Sequence, residues 1–174
     1  MHSVGKYAIL IKKGRGRGMK TVLVSRCLFG ERCRYDGASR PCPGIEKLRE
    51  RFTVVLVCPE CDGGLPVPRP AGERRGDRVV TKDGGDLTPF YRRGAEIALQ
   101  KAKETGATLA LLKSKSPSCG VGLIYDGSFS GRLTEGDGVT AELLKANGVA
   151  VFPETALDAL LAQSENEKEG GTAT

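Results

Sequence analysis

Three of the six cysteines occupy equivalent places in the chain. Cys27 follows Thr21-Val22-Leu23-Val24-Ser25-Arg26, Cys58 follows Thr53-Val54-Val55-Leu56-Val57, and Cys119 lies in the polar loop beyond Leu109-Ala110-Leu111-Leu112. Each preceding run is short, apolar and bounded by turn residues, which reads as a buried strand. If the runs are neighbouring parallel strands, their C-terminal ends meet on one edge of a sheet, where open α/β sheets place their ligands. Thiols converging there suit a metal or an iron–sulfur cluster. The plain alternative is that each cysteine is a small buried hydrophobe. That account is natural for a single cysteine at a strand end, less so for three at equivalent positions, each beside Gly, Pro or Ser.

Other residues add to this picture. Cys58-Pro59-Glu60-Cys61 is a C-x-x-C, readable as half a zinc site or a redox pair. Zinc would need a second pair, and Cys33 and Cys42 are nine residues apart. The only histidine, His2, precedes the first strand, so the core chemistry runs without histidine. Glu60 is then the natural general acid/base, with a solvated loop glutamate as the bland reading. Ser116 and Ser118 flank Pro117 just before Cys119, and either hydroxyl would serve a substrate, a cluster sulfur or a turn cap. Lys113 and Lys115 suit an anion or bulk solvent. In Arg34-Tyr35-Asp36-Gly37, the cation and ring suit a substrate, while an Arg–Asp brace of the loop is an equal alternative. Gly63-Gly64 and Gly120 permit close backbone approach.

These residues need elements to hold them. Strands are expected at 21–25, 53–57, 107–112 and 149–152. Ile45, Leu48 and Phe52 share one helical face. A clear helix runs from about Leu87 to Thr105-Gly106, with Asp86 or Thr88 as cap, Pro89 in its first turn and Gly106 at its C′ position. Further helices are expected from Val139 to Asn147 and from Thr155 to Leu161. The stretch from Cys58 to about Asp86 reads as a long functional loop with a small hairpin near Val79 to Lys82. Between Ser116 and Gly138, strand pairing around Leu123-Ile124-Tyr125 is expected to turn at Asp126-Gly127. Strand–helix alternation gives an α/β single-domain sandwich with a mostly parallel, Rossmann-like central sheet.

A chain of 174 residues is long enough for one domain with a real core. No apolar run approaches the roughly 18 residues needed to span a bilayer, and no export signal is evident, so cytoplasmic placement is expected. The net charge of +6 is unevenly placed. Six cations and no acid fall in residues 1–20; without them the 27 basic residues become 21, equal to the acidic ones. Residues 1–18 read as a glycine-rich basic leader, either a nucleic-acid-attracting arm or an extension upstream of a domain starting at Met19. Residues 19–162 form the domain, and 163–174 a polar tail.

Taken in order, Ser25-Arg26-Cys27-Leu28-Phe29-Gly30, Arg34-Tyr35-Asp36-Gly37, Cys58-Pro59-Glu60 with Gly63-Gly64-Leu65-Pro66-Val67-Pro68-Arg69, and Lys113-Ser114-Lys115-Ser116-Pro117-Ser118-Cys119-Gly120 resemble the DUF523 family, typified by bacterial 2-thiouracil desulfidase. The likeness continues through Ile124-Tyr125-Asp126-Gly127 and Gly136-Asp137-Gly138-Val139-Thr140, covering about residues 20–154. It implies a [4Fe–4S] cluster held by Cys27, Cys58 and Cys119, an open fourth iron that takes a thiocarbonyl sulfur, Glu60 as acid/base and Ser116 as its assistant. The implied substrate is a small thiolated nucleobase and the implied reaction a non-redox hydrolysis; no membrane partner is expected, and a redox or sulfur carrier and a thiolated-RNA binding module remain the alternatives. Arg26, Cys33 and Cys61 depart from the family pattern, and Cys61 is the expected rival for the open iron.

Overall fold

The structure is a computed structural model that describes residues 18–164. The expected leader, apart from Gly18, and the tail from residue 165 lie outside the described residues. The central sheet holds β1 (Thr21–Ser25), β2 (Thr53–Val57), β5 (Leu109–Leu112) and β8 (Ala150–Pro153), all parallel in the order β2-β1-β5-β8. Register pairs Ser25 with Val57 and Val24 with Leu111, so the C-terminal ends lie level. The chain moves outward from β1 to β2, then crosses back past β1 to β5. The crossovers therefore leave β1 and β5 on opposite faces, and a crevice opens beyond their C-terminal ends.

Helices cover both faces: α1 (Lys47–Arg51) and α5 (Leu157–Ala162) on one, α3 (Thr88–Thr105) and α4 (Val139–Ala146) on the other. Alternation along the strands fills both layers. Val22, Val24, Leu109 and Leu111 join Leu48, Phe52 and Leu160 in one core, while Leu23, Ala110 and Leu112 join Ala102, Ala141 and Leu144 in the other.

Most expected elements form where the periodicity places them. The α3 boundaries are those expected: Asp86 Oδ1 accepts the Thr88 N–H at 3.0 Å, and Gly106 closes the helix at φ 69°. Two regions differ. The stretch after Cys58 contains an unexpected helical turn, α2 (Pro59–Asp62), beside the expected small hairpin, which pairs β3 (Gly72–Arg75) with β4 (Arg78–Thr81). The pairing of β6 (Leu123–Tyr125) with β7 (Leu133–Glu135) is as expected, but a longer loop over 126–132 replaces a tight turn at Asp126-Gly127. Asp126 Oδ1 accepts the Ser128 N–H at 2.9 Å, and Phe129 N–H reaches Glu73, so side-chain bonds build that loop.

The short α2 lies directly on the backbone of α3. A Cβ on Gly94 would fall 1.8 Å from the Pro59 carbonyl oxygen, and one on Gly63 would fall 2.1 Å from that of Phe90. Only glycine allows this approach, and it fixes where Cys58 and Glu60 project. Gly94→Ala ordinarily favours a helix by about 1 kcal/mol. Here the collision dominates, and the variant is expected to be destabilised by about 2 kcal/mol in denaturant unfolding. Unchanged or raised stability would show that α2 is free to move away from α3.

Candidate active site

A cavity of about 860 Å³ opens at the C-terminal ends of the strands, and Cys27, Cys58 and Cys119 all lie on its wall. Each is fixed by backbone bonds. Cys27 sits in a single 3₁₀ turn (Arg26–Phe29) closed by Gly30 at φ 92°, and its carbonyl accepts the Arg40 N–H at 2.9 Å. Cys58 precedes α2, where its N–H donates to Asp62 Oδ2 at 3.3 Å and its carbonyl accepts the Asp62 N–H at 2.8 Å. The Cys119 loop is locked to the start of α4, whose Val139 and Thr140 N–H groups donate to the Pro117 and Ser118 carbonyls at 2.9 Å. These N–H groups have no partner within their own helix.

Glu60 shares the wall with the thiols, and its side chain is 15 % exposed. Arg69, 3 % exposed, grips Glu60 Oε2 with Nε at 2.8 Å and Nη2 at 2.7 Å. The same guanidinium donates to the carbonyls of Cys33 at 2.9 Å and Pro66 at 3.1 Å, joining the first two cysteine loops. The buried Tyr91 hydroxyl also bonds Glu60. Burial pushes the Glu60 carboxyl up, and Arg69 reverses part of that shift. Ser116 Oγ accepts the N–H groups of Ser118 at 3.1 Å and Cys119 at 3.0 Å, leaving its proton for a long 3.5 Å contact with Glu60 Oε1. The hydroxyl that caps this turn is therefore the same one that faces Glu60.

The thiols differ in electrostatics. Cys33, also on the wall, shares its S–H between Cys27 and Cys58 and lowers the pKa of both. Cys61 lowers Cys58 further, while Cys33 and Cys61 are themselves raised as the donors. Cys27 and Cys58 are thus predisposed to the thiolate form that binds metal. Cys119 is pushed up by burial and opposed only in part by the Ser25 hydroxyl. Among the described residues, no three acid, histidine or cysteine side chains stand close enough to hold a single metal ion. A cluster spreads its thiolates over separate irons, so three soft donors on one wall fit it better than they fit zinc.

The remaining expected residues divide. Arg34, Tyr35 and Lys113 line the cavity. Arg34 pairs with Asp36 at 3.1 Å and lies over the Tyr35 ring, so the brace is real, while Tyr35 remains 43 % exposed at the mouth. Lys113 Nζ pairs with Glu154 at 2.9 Å. Ser118 does not line the cavity: it is fully buried, and its hydroxyl bonds Thr140 Oγ1 at 2.9 Å, fastening the Cys119 loop to α4. Cys61 is also absent from the wall, with its sulfur 3.6 Å from the Cys33 carbonyl and 3.7 Å from Arg69 Nη1. Arg26 does line the cavity, paired with Glu31 at 3.2 Å and Asp62 at 3.3 Å. Sequence reasoning missed the Arg69 and Tyr91 clamp on Glu60. Its one legible signal was an arginine closing an otherwise apolar proline-rich run.

With this geometry in place, the likenesses to known proteins are informative. The sequence model of the 2-thiouracil desulfurase family matches residues 22–156. The uncharacterized protein YbbK of Bacillus subtilis (strain 168) is 42 % identical over 150 residues, covering 80 % of this chain and 99 % of that one. A solved [4Fe–4S]-dependent thiouracil desulfidase, TudS, superposes with a TM-score of 0.80 at 43 % identity, covering 85 % of this chain and 99 % of its own. The chain belongs to the 2-thiouracil desulfurase family.

Proposed function

We propose that this protein is a [4Fe–4S]-dependent desulfidase that converts a thiolated pyrimidine, such as 2-thiouracil, into uracil and sulfide without net redox change. The observation that carries this reading is the meeting of Cys27, Cys58 and Cys119 on one cavity wall beside a buried, clamped carboxylate. It is supported by the family and by the activity printed for the solved relative. Cys27, Cys58 and Cys119 would hold the cluster. Bound there, it supplies a soft Lewis-acidic iron, free of a fourth protein ligand, for a thiocarbonyl sulfur.

The side chains perform the rest. The reaction exchanges C=S for C=O: the oxygen of water goes to carbon, and both of its protons leave with the sulfide. Arg69 occupies Glu60 Oε2, so Oε1, on the Ser116 side, takes the proton from water and returns it to sulfur. Burial raises the basicity of this carboxylate toward that of a group active near neutrality. Ser116 steadies Oε1, and Tyr35 and Lys113 border the space for the heterocycle.

Another role, as a redox or sulfur carrier, requires a fourth thiolate. Cys33, not Cys61, is the buried wall thiol that competes for it. A role in binding thiolated RNA has little to stand on in the described residues. The arginines near one another in sequence, Arg69, Arg74, Arg75 and Arg78, engage Glu60, Glu142, the Gly127 carbonyl and Asp86. Among the described residues, no helix is long and apolar enough to cross a membrane.

Replacement of Cys27, Cys58 or Cys119 by alanine is expected to abolish bound iron and sulfide after anaerobic reconstitution. Cys33→Ala and Cys61→Ala are expected to retain both, together with sulfide release from 2-thiouracil. Glu60→Gln should keep the cluster and lose turnover by about a hundredfold or more; full activity in that variant would remove Glu60 from the mechanism. Arg69→Met leaves a buried carboxylate without its counter-ion and should cost about 3 kcal/mol in denaturant unfolding. Adding Glu60→Gln to Arg69→Met should restore most of that loss, and failure to do so would mean Arg69 acts mainly through the loop carbonyls.

A further inference from the structure

Three glutamates line the cavity, and the protein uses them differently. Glu60 has one oxygen held by Arg69 and the other facing Ser116. Glu154 is filled: its oxygens take the Ser114 N–H at 2.6 Å, the Ser114 hydroxyl at 2.9 Å and Lys113 Nζ at 2.9 Å. Glu73, on β3, is 9 % exposed and has no cation beside it among the described ion pairs. Its Oε2 accepts the Phe129 N–H at 2.9 Å, and its Oε1 has no described protein partner. Oε1 is nevertheless not sealed in the interior as an unsatisfied atom. Glu73 itself lines the cavity.

A carboxylate accepts up to about four hydrogen bonds, and one so deeply placed is costly unless something donates to it. The nearby positive side chains on the wall are donors, so none of them can receive an N–H from a ligand. We infer that Glu73 is a substrate-recognition residue whose free oxygen accepts a ring N–H of the pyrimidine, selecting heterocycles that carry an unsubstituted amide or thioamide nitrogen. This rests on the desulfidase reading and names the residue that fixes ring orientation within it.

The surroundings fit this role. Gly72, the residue before Glu73, lies against the Tyr91 hydroxyl, which a Cβ there would approach to 3.2 Å. Tyr91 in turn bonds Glu60. Glu60, Glu73 and Tyr91 all line the same cavity. Opposite, the 126–132 loop is tied to the same hairpin by Arg75 Nε to the Gly127 carbonyl at 2.6 Å and by Arg75 over the Phe129 ring. Because Arg75 holds the loop independently, the Phe129 contact does not exhaust the purpose of Glu73.

The experiment compares wild type with Glu73→Gln and Glu73→Asp, as reconstituted holoproteins. Uracil is the binding probe, because it carries the ring N–H groups without sulfur. Calorimetric affinity for uracil is expected to fall about tenfold or more in Glu73→Gln. The KM for 2-thiouracil should rise by a similar factor with a smaller change in kcat, and Glu73→Asp should recover part of both. Wild type should also prefer 2-thiouracil over its ring-N-methylated forms, and Glu73→Gln should lose that preference. Equal uracil affinity in wild type and Glu73→Gln, with the methyl preference intact, would overturn the assignment while leaving the desulfidase reading in place. Loss of uracil affinity in Glu73→Gln, with no sulfide release by wild type, would uphold the N–H acceptor and reject the desulfidase reading. If Glu73→Gln fails to fold, Glu73→Asp carries the test, and wild-type uracil affinity in that variant with unchanged methyl preference counts against the assignment.

Discussion

Parallel strands present all their C-terminal ends at one edge, and everything about this site depends on that constraint. With β1 between β2 and β5, each strand delivers the chain that follows it to the same edge. The residues just beyond β1 and β2 are therefore spatial neighbours although about thirty positions separate Cys27 from Cys58 in the sequence. The reversal of direction between β1 and β5 opens the crevice, because the crossovers on its two sides run over opposite faces. Without the parallel order, the three thiols would be scattered between two edges. With it, short loops suffice, and each loop needs only local bonds to aim its sulfur.

The second constraint is the cost of burying charge. Glu60 enters the wall within one turn of Cys58, and a carboxylate at that depth requires a counter-ion. Arg69 supplies it and also binds the Cys33 and Pro66 carbonyls. A guanidinium is suited to this because its planar fork offers several donors at fixed angles. The same group thus neutralises Glu60 and ties together the loops bearing the first two thiols. Cys33 and Cys61 complete the arrangement as donors that favour thiolates at Cys27 and Cys58. The C-x-x-C at Cys58 then holds one thiol on the cavity wall with a neighbouring donor, where spacing alone suggests two equal partners.

Much of this was legible in the sequence because its physics is local. The strands at Thr21, Thr53 and Leu109 are continuous apolar runs, and Gly106 closes α3 for the steric reason that puts glycine at such positions. The convergence of Cys27, Cys58 and Cys119 followed from strand ends alone. What was not legible depends on contacts distant in the chain. The α2 turn exists because Gly63 and Gly94 let it lie on α3, and four residues carry too little periodicity to reveal a helix. Ser118 and Ser116 are chemically alike and two apart; only the docking of α4 turns one hydroxyl toward Thr140 and leaves the other near Glu60. Arg69 reads as one basic residue among several until its partners are known.

The cavity also shows why composition is a poor guide to the ligand. Many of the wall's cations belong to internal pairs, such as Arg69 with Glu60, Lys113 with Glu154, Arg34 with Asp36 and Arg26 with Asp62. Pairing of this kind removes them as general attractors for anions and turns them into fixed donors with defined directions. A wall so furnished discriminates by shape and hydrogen-bond pattern, not by net charge. A flat heterocycle with a soft sulfur at one position and an N–H beside it offers two chemically unlike handles. In the proposed reading the thiol-lined edge answers the first and the Glu73 carboxylate the second, so that both would be met together before the carbon bearing sulfur faces Glu60.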